Sequence, residues 1–355
     1  MSSASPVAAA ARTTRRQWFR RAATAVVVAA LTALTVRLLI NSGDELLAAG
    51  DNLDRVGLGW LALAIVAEVG SYAAYGAAQG ELIRRGGGPR LGLPLLTAVS
   101  IAAQAAAFCV PGGLAVTAIV TYRVLSRKAV DRVLAGASIV MISILYMVAL
   151  GAIALIGTPI AGDTSVVPDL QPVAGGLVAF AVVLGIGLSI LRRRGVLARW
   201  IKRSARATDR LLRKVTDEPA APDEDDPEWS GRLASVSFGS SGLAVATLLL
   251  TLCWLADALC LCLCFFAVGE EPPWQGLLLA YAAAQLAATL PFTPGGLGVL
   301  EGSLTLALVA FGGADVPTLS AVLLYRLISF WGLLPTGGLC YLAVRGSRKG
   351  VVAKA

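Results

Sequence analysis

Residues 285–301 read Gln285-Leu-Ala-Ala-Thr-Leu290-Pro-Phe-Thr-Pro294-Gly295-Gly296-Leu297-Gly298-Val-Leu-Glu301. The stretch lies inside an apolar run from Gly276 to Phe311, and its two arms, Gly276–Leu290 and Leu297–Phe311, hold about fifteen residues each. A helix needs roughly 20 apolar residues to cross the hydrocarbon core. Two shorter arms hinged at Pro-Gly-Gly therefore predict a re-entrant hairpin. Glycines after the proline let the backbone turn tightly. The helix that follows starts inside the membrane, with unpaired N–H groups and a positive dipole end suited to an anion such as phosphate.

Upstream, Gln104-Ala-Ala-Ala-Phe-Cys-Val-Pro111-Gly112-Gly113-Leu114 repeats the pattern, two residues shorter, within the run Leu91–Thr121. After that turn only about eight residues remain before Arg123. The other apolar runs are Ala22–Ile40, Leu58–Gln79, Leu134–Gly157, Val173–Leu191, Phe238–Val268 and Leu319–Val344. The prediction is an all-α polytopic membrane protein with six full spans and two hairpins, or eight to ten membrane helices when arms are counted. Five Arg precede the first run and Ala48-Ala49-Gly50 imitates a cleavage site, as in a signal peptide. The run is long for that role and carries Arg37, so it reads as an uncleaved signal anchor.

Composition agrees. Of 355 residues, 57% are hydrophobic and 15% charged, with a mean hydropathy of +0.75; soluble domains carry roughly 25% charged residues. The chain has no histidine, which removes imidazole acid–base chemistry, histidine triads and His-ligated metals. The six cysteines all fall in apolar runs without zinc-site spacing, so neither metal nor cofactor is expected.

The formal charge of +8 is a topology signal. With the N-terminus inside, five Lys and Arg precede the first span, three lie in 80–90, four follow the first hairpin, eleven fall in 192–237 and four in the tail. That is 27 of the 30. The expected organisation is a cytoplasmic N-terminus (1–21), one membrane domain (22–344) with a cytoplasmic linker at 192–237, and a basic tail (345–355). Within the linker, 196–215 reads as an interfacial or solvated basic helix. Asp217 to Glu228 is acidic and proline-punctuated, as in disordered segments. The localisation expected is a bacterial cell membrane, multi-pass, with both termini cytoplasmic.

Under this topology the two hairpins enter from opposite sides, each between one span before and one after. Two similar units, 58–157 and 238–344, would then form an inverted repeat, a transporter architecture. Ionisable residues at membrane depth are functional candidates by default: Glu301 on the second arm of the second hairpin, Arg326 in the last span, Arg123 after the first hairpin, and Glu68 and Asp257 in the span before each hairpin. Bland alternatives stay open. Glu301 and Arg326 can neutralise each other, Arg123 can snorkel to the surface, and Glu68 and Asp257 can be polar contacts between helices.

The second-unit motif Leu290-Pro-Phe-Thr-Pro-Gly-Gly-Leu-Gly-Val-Leu-Glu301-Gly, followed by Leu323-Leu-Tyr-Arg326-Leu-Ile-Ser, resembles the flippase-like membrane region of lysylphosphatidylglycerol synthases. Val110-Pro-Gly-Gly and Tyr122-Arg123-Val-Leu in the first unit are similar to that family too, over roughly 50–345 in all. Many relatives carry an acidic residue just after the first turn, where this chain has Leu114-Ala115-Val116. The resemblance implies a membrane domain that moves or holds a lipid, often an aminoacylated phospholipid or a polyprenyl-linked substrate. No aminoacyl-transferase domain is expected after Val344, so lysyl transfer is not.

The leading expectation is thus a non-enzymatic translocase of an anionic phospholipid or lipid-linked sugar. Its head group would be held by Arg326, Glu301, Gly295, Gly296 and Gly298 of the second unit, with Arg123, Gly112 and Gly113 of the first. No Walker motif is present; exchange down a gradient and proton coupling through Glu301 stay open. The alternative is a subunit that presents a lipid to a membrane glycosyltransferase or synthase. An intramembrane enzyme using Glu68, Asp257 and Glu301 ranks last. No nucleic-acid partner is expected, while a membrane enzyme and further copies of the chain are open as partners.

Overall fold

The computed structural model describes residues 57–109, 113–160, 236–289 and 293–346. The predicted spans at 22–40 and 173–191, the linker helix and acidic segment, both chain ends and Gly112 lie outside the described residues. Among the described residues all regular structure is helical, as the apolar runs require. With no water to satisfy N–H and C=O groups, a chain in hydrocarbon closes its hydrogen bonds within each helix.

The first unit comprises α1 (Leu58–Arg85), α2 (Leu93–Phe108), α3 (Leu114–Arg127) and α4 (Arg132–Ile160). The second comprises α5 (Gly239–Ala267), α6 (Trp274–Ala288), α7 (Val299–Ala310), α8 (Asp315–Arg326) and α9 (Leu333–Gly346), with a 3-10 turn at Pro294–Gly296 and a π turn at Leu327–Trp331. Among the described residues four helices are long and apolar enough to cross a membrane: α1, α4, α5 and the continuous Asp315–Val344. The paired arms α2/α3 and α6/α7 hold 16, 14, 15 and 12 residues. At 1.5 Å per residue these reach only about 18–24 Å, short of the ~30 Å core.

Local chemistry sets the ends. Pro94 in the first turn of α2 lacks an N–H that would be orphaned there anyway. Asp131 accepts from the N–H groups of Val133 (2.9 Å) and Leu134 (3.3 Å), capping α4. The predicted second span, 58–79, is extended by six residues as Glu81 pairs with Arg84 (2.6 Å) and Arg85 (2.9 Å) where α1 leaves the apolar zone.

α1 and α5 run antiparallel along most of their length. Gly57 N–H donates to Ala267 O (3.4 Å) at one end. At the other, a side chain on Gly242 would meet Arg85 Cγ at 2.8 Å. Each hairpin returns to the end of the bundle where it began. Leu134, at the start of α4, packs on Gly86 and Gly88 just past α1, and Phe311, just past α7, fills the space beside Gly276 at the start of α6.

The first arm of each hairpin leans on the last span of the other unit. α6 lies on α4, where a Cβ on Gly157 would come within 2.9 Å of Leu279 N; α2 lies on α9, where a Cβ on Gly337 would come within 3.1 Å of Ile101 O and run into Ala105. At both crossings a glycine removes the side chain that would hold the helices apart, as small residues do between membrane helices. The tips converge: the end of α2 reaches the Pro294–Gly296 turn, and Phe108 stacks on Phe330 with centroids 4.8 Å apart.

Candidate functional site

The second hairpin turn takes its shape from glycines at positive φ: Gly295 (61°), Gly296 (68°) and Gly298 (81°). At Gly295 both conformation and space demand glycine, because a Cβ there would strike the Phe330 ring. The turn postpones the second arm to Val299, two residues later than the predicted Leu297. This places Glu301 in the first turn of α7, where its Oε2 accepts from Gly298 N–H at 2.7 Å.

Arg326 ends α8 beside this turn. Its Nε donates to Glu301 Oε1 at 2.6 Å, its Nη2 donates to Gly295 O at 3.1 Å, and its guanidinium lies 4.6 Å from the centroid of the Phe330 ring. The side chains of Arg326 and Glu301 are 5% and 16% exposed. The structure thus joins Arg326, Glu301, Gly295 and Gly298 in one cluster. At this helix start one N–H, that of Gly298, already meets an anion, the chain's own Glu301 carboxylate. An incoming phosphate would meet a guanidinium already paired.

The first unit is built differently. Gly113 has helical φ and ψ (−53°, −19°); glycine is needed there because a Cβ would run into Ala107 O. The arm after it does not stop near Arg123, as the eight-residue estimate implied, but continues to Arg127. Arg123 is half-buried and lies nine residues past Leu114, about 13 Å along the helix from the tip. It belongs to the base of its hairpin, unlike Arg326, which touches the turn of the other.

A second cluster, not foreseen as a unit, surrounds Asp257 on α5. Its carboxylate accepts from Tyr281 Oη and from Gln285 Nε2 (3.1 Å), both on α6, and from Tyr325 Oη on α8 (3.0 Å). Gln285 Nε2 also reaches Tyr325 Oη at 3.1 Å. Glu68 on α1 faces Asp257 across the α1–α5 seam, one turn from the Ser71–Cys253 contact, with Tyr72 beside it. Glu68 is 6% exposed, and its Oε2 is buried without a hydrogen-bond partner. Nearby, Ser71 Oγ and Cys253 Sγ meet at 3.3 Å across the same seam, and Trp254 stacks on Tyr146 at 4.2 Å.

Depth unites the two clusters. Glu68 lies ten residues from the start of α1, Asp257 ten from the end of α5 and Arg326 eleven from the start of α8. All three are measured from the same end of the bundle, which puts them about 15–17 Å in, half the thickness of a ~30 Å core. The signal available in the sequence was this equal spacing from antiparallel ends; Tyr281 and Gln285, inside an apolar run, carried none.

Comparison with known proteins adds a family. The profile of the lysylphosphatidylglycerol synthase TM region matches residues 21–337. Two UPF0104 membrane proteins of Methanothermobacter thermautotrophicus are similar in part. One is 34% identical over 104 residues, 28% of this chain and 31% of the relative. The other is 40% identical over 78 residues, 22% of each. The chain therefore matches less than a third of the length of either relative.

Proposed function

Because the chain belongs to the family of the lysylphosphatidylglycerol synthase TM region, we propose that it is a lipid translocase for an anionic or polyprenyl-linked head group, acting without bond-making chemistry of its own. The observation that carries the reading is the Arg326–Glu301–Gly295 cluster: a buried guanidinium held at mid-depth against a broken helix, between two antiparallel units. A phosphate that displaces Glu301 from Arg326 finds a planar donor fork and, once Gly298 N–H is released, a helix start. The displaced Glu301 carboxylate is then free for an ammonium on an aminoacylated head group. Rocking of one unit on the other along the α1–α5 seam would alternate access.

Charge asymmetry supports a cell-membrane orientation with both termini cytoplasmic. The test is translocation of head-group-labelled anionic and lipid-linked sugar lipids in proteoliposomes, comparing wild type with Glu301→Gln and Arg326→Ala. Protein-dependent flipping that both folded variants lose is the expected result. Flipping that survives Arg326→Ala refutes the assignment of the site. Lipid binding without any flipping points to the presenting-subunit function instead.

A further inference from the structure

Three carboxyl groups and one guanidinium share the mid-depth level: Glu68, Asp257, Glu301 and Arg326. Fully ionised, this set would leave two uncompensated negative charges in a low-dielectric interior, where charges persist only when paired. Arg326 is spent on Glu301 at 2.6 Å. Asp257 collects three neutral donors, Tyr281, Gln285 and Tyr325, and lies in the field of Arg326. Glu68 is left with Tyr72 and with Asp257 itself, and its Oε2 finds no partner.

The other polar groups around the pair are phenols and thiols, which carry no positive charge. They are Tyr72 on α1, Cys253, Cys260 and Cys264 on α5, and the tyrosines at 146, 281 and 325 on α4, α6 and α8. Among the described residues, then, no cation is paired with Glu68. A proton on Glu68 replaces repulsion between two carboxylates with one O–H···O− bond to Asp257, as carboxyl dyads elsewhere share a proton.

We propose that Glu68 and Asp257 form a proton-binding site on the seam between the two units, with the proton held on Glu68 and donated to Asp257. The two residues come from different units, so parting α1 from α5 separates acceptor from donor and releases H+, leaving two carboxylates. Proton occupancy and the relative position of the units are then linked. That such a link drives lipid movement rests on the translocase reading; the bound proton does not.

The test uses full-length protein in lipid nanodiscs and infrared spectra of the carboxylic-acid C=O region at pH 7. The expected result is a deuterium-sensitive band that is lost in Glu68→Gln and displaced in Asp257→Asn, where an amide replaces the carboxylate acceptor. Wild-type and Glu68→Gln spectra that match in this region overturn the proposal. So does a band that appears only when sodium is replaced by choline, which would make Na+ the resident ion. In proteoliposomes, an imposed pH gradient should accelerate flipping by wild type and lose that effect in Glu68→Gln. Equal acceleration in both removes the coupling role while the infrared band still decides the site. Absence of flipping in every arm refutes only the translocase reading.

Discussion

Replacing Glu301 with glutamine tests whether the buried ion pair is a coupled unit. Glu301 Oε1 receives Arg326 Nε at 2.6 Å and Oε2 receives Gly298 N–H at 2.7 Å. The amide oxygen of glutamine can keep the second bond, so the helix start stays capped; what disappears is the countercharge. With side chains 5% and 16% exposed, breaking such a pair on one side costs about 3–5 kcal/mol. Arg326→Met costs a similar amount, plus about 1 kcal/mol for the lost Phe330 stacking. Removing both charges together is close to neutral for the pair. The cycle of Glu301→Gln, Arg326→Met and the double variant should therefore show a coupling energy of about 2 kcal/mol or more. Unfolding by dodecyl sulfate in mixed micelles measures it. Single costs that add to within ~0.5 kcal/mol would mean that water or lipid already solvates the guanidinium, and the reasoning fails. The same assay with added anionic lipid should restore Glu301→Gln and leave the double variant unchanged, since only the former offers an unpaired guanidinium to phosphate.

Other consequences are as direct. Gly295→Ala should cost about 1–2 kcal/mol for its φ of 61° and more for the Phe330 contact; adding Phe330→Ala should return only the contact part in the same unfolding assay. Gly337→Leu should weaken the α2–α9 crossing and lower the melting temperature in detergent, whereas Gly136→Ala, with nothing within 4 Å of the added methyl, should leave it unchanged. With Cys109 and Cys340 replaced by serine throughout, a maleimide should label the buried Cys253, Cys260 and Cys264 only after unfolding. Mass spectrometry of labelled peptides checks this, and rapid labelling of Cys260 would contradict the packing of α5.

Much of this fold was legible because hydrocarbon leaves a chain few choices. Length and apolarity marked α1, α4, α5 and the final span, and Pro-Gly-Gly inside runs too long for one arm and too short for two crossings marked the hairpins. Helix ends were less legible. α1 outruns its apolar segment because Glu81 satisfies two arginines, and α3 runs through Arg123 because a charge one turn from the surface need not end a helix. At the site, Glu301 and Arg326 could be named as charges out of place, but their partnership depends on the added residues in the second turn, which set the first turn of α7 against Arg326. Glu68 and Asp257 were visible singly. Their convergence required knowing that α1 and α5 are antiparallel and in register, which no local pattern states. Tyr281 and Gln285 were hidden because their polar atoms matter only where Asp257 meets them.

The exchange of hairpins between units constrains how the molecule is made. α2 rests on α9, some 230 residues later in the chain, so the first hairpin emerges from the ribosome long before its seat exists. Until α9 is threaded, α2 and α3 must be tolerated by lipid or by the insertion machinery, short as they are. The second hairpin waits for nothing, since α4 precedes it. Biogenesis is therefore asymmetric, and shortening the chain from its C-terminal side should strand the first hairpin well before it disturbs α1 and α5.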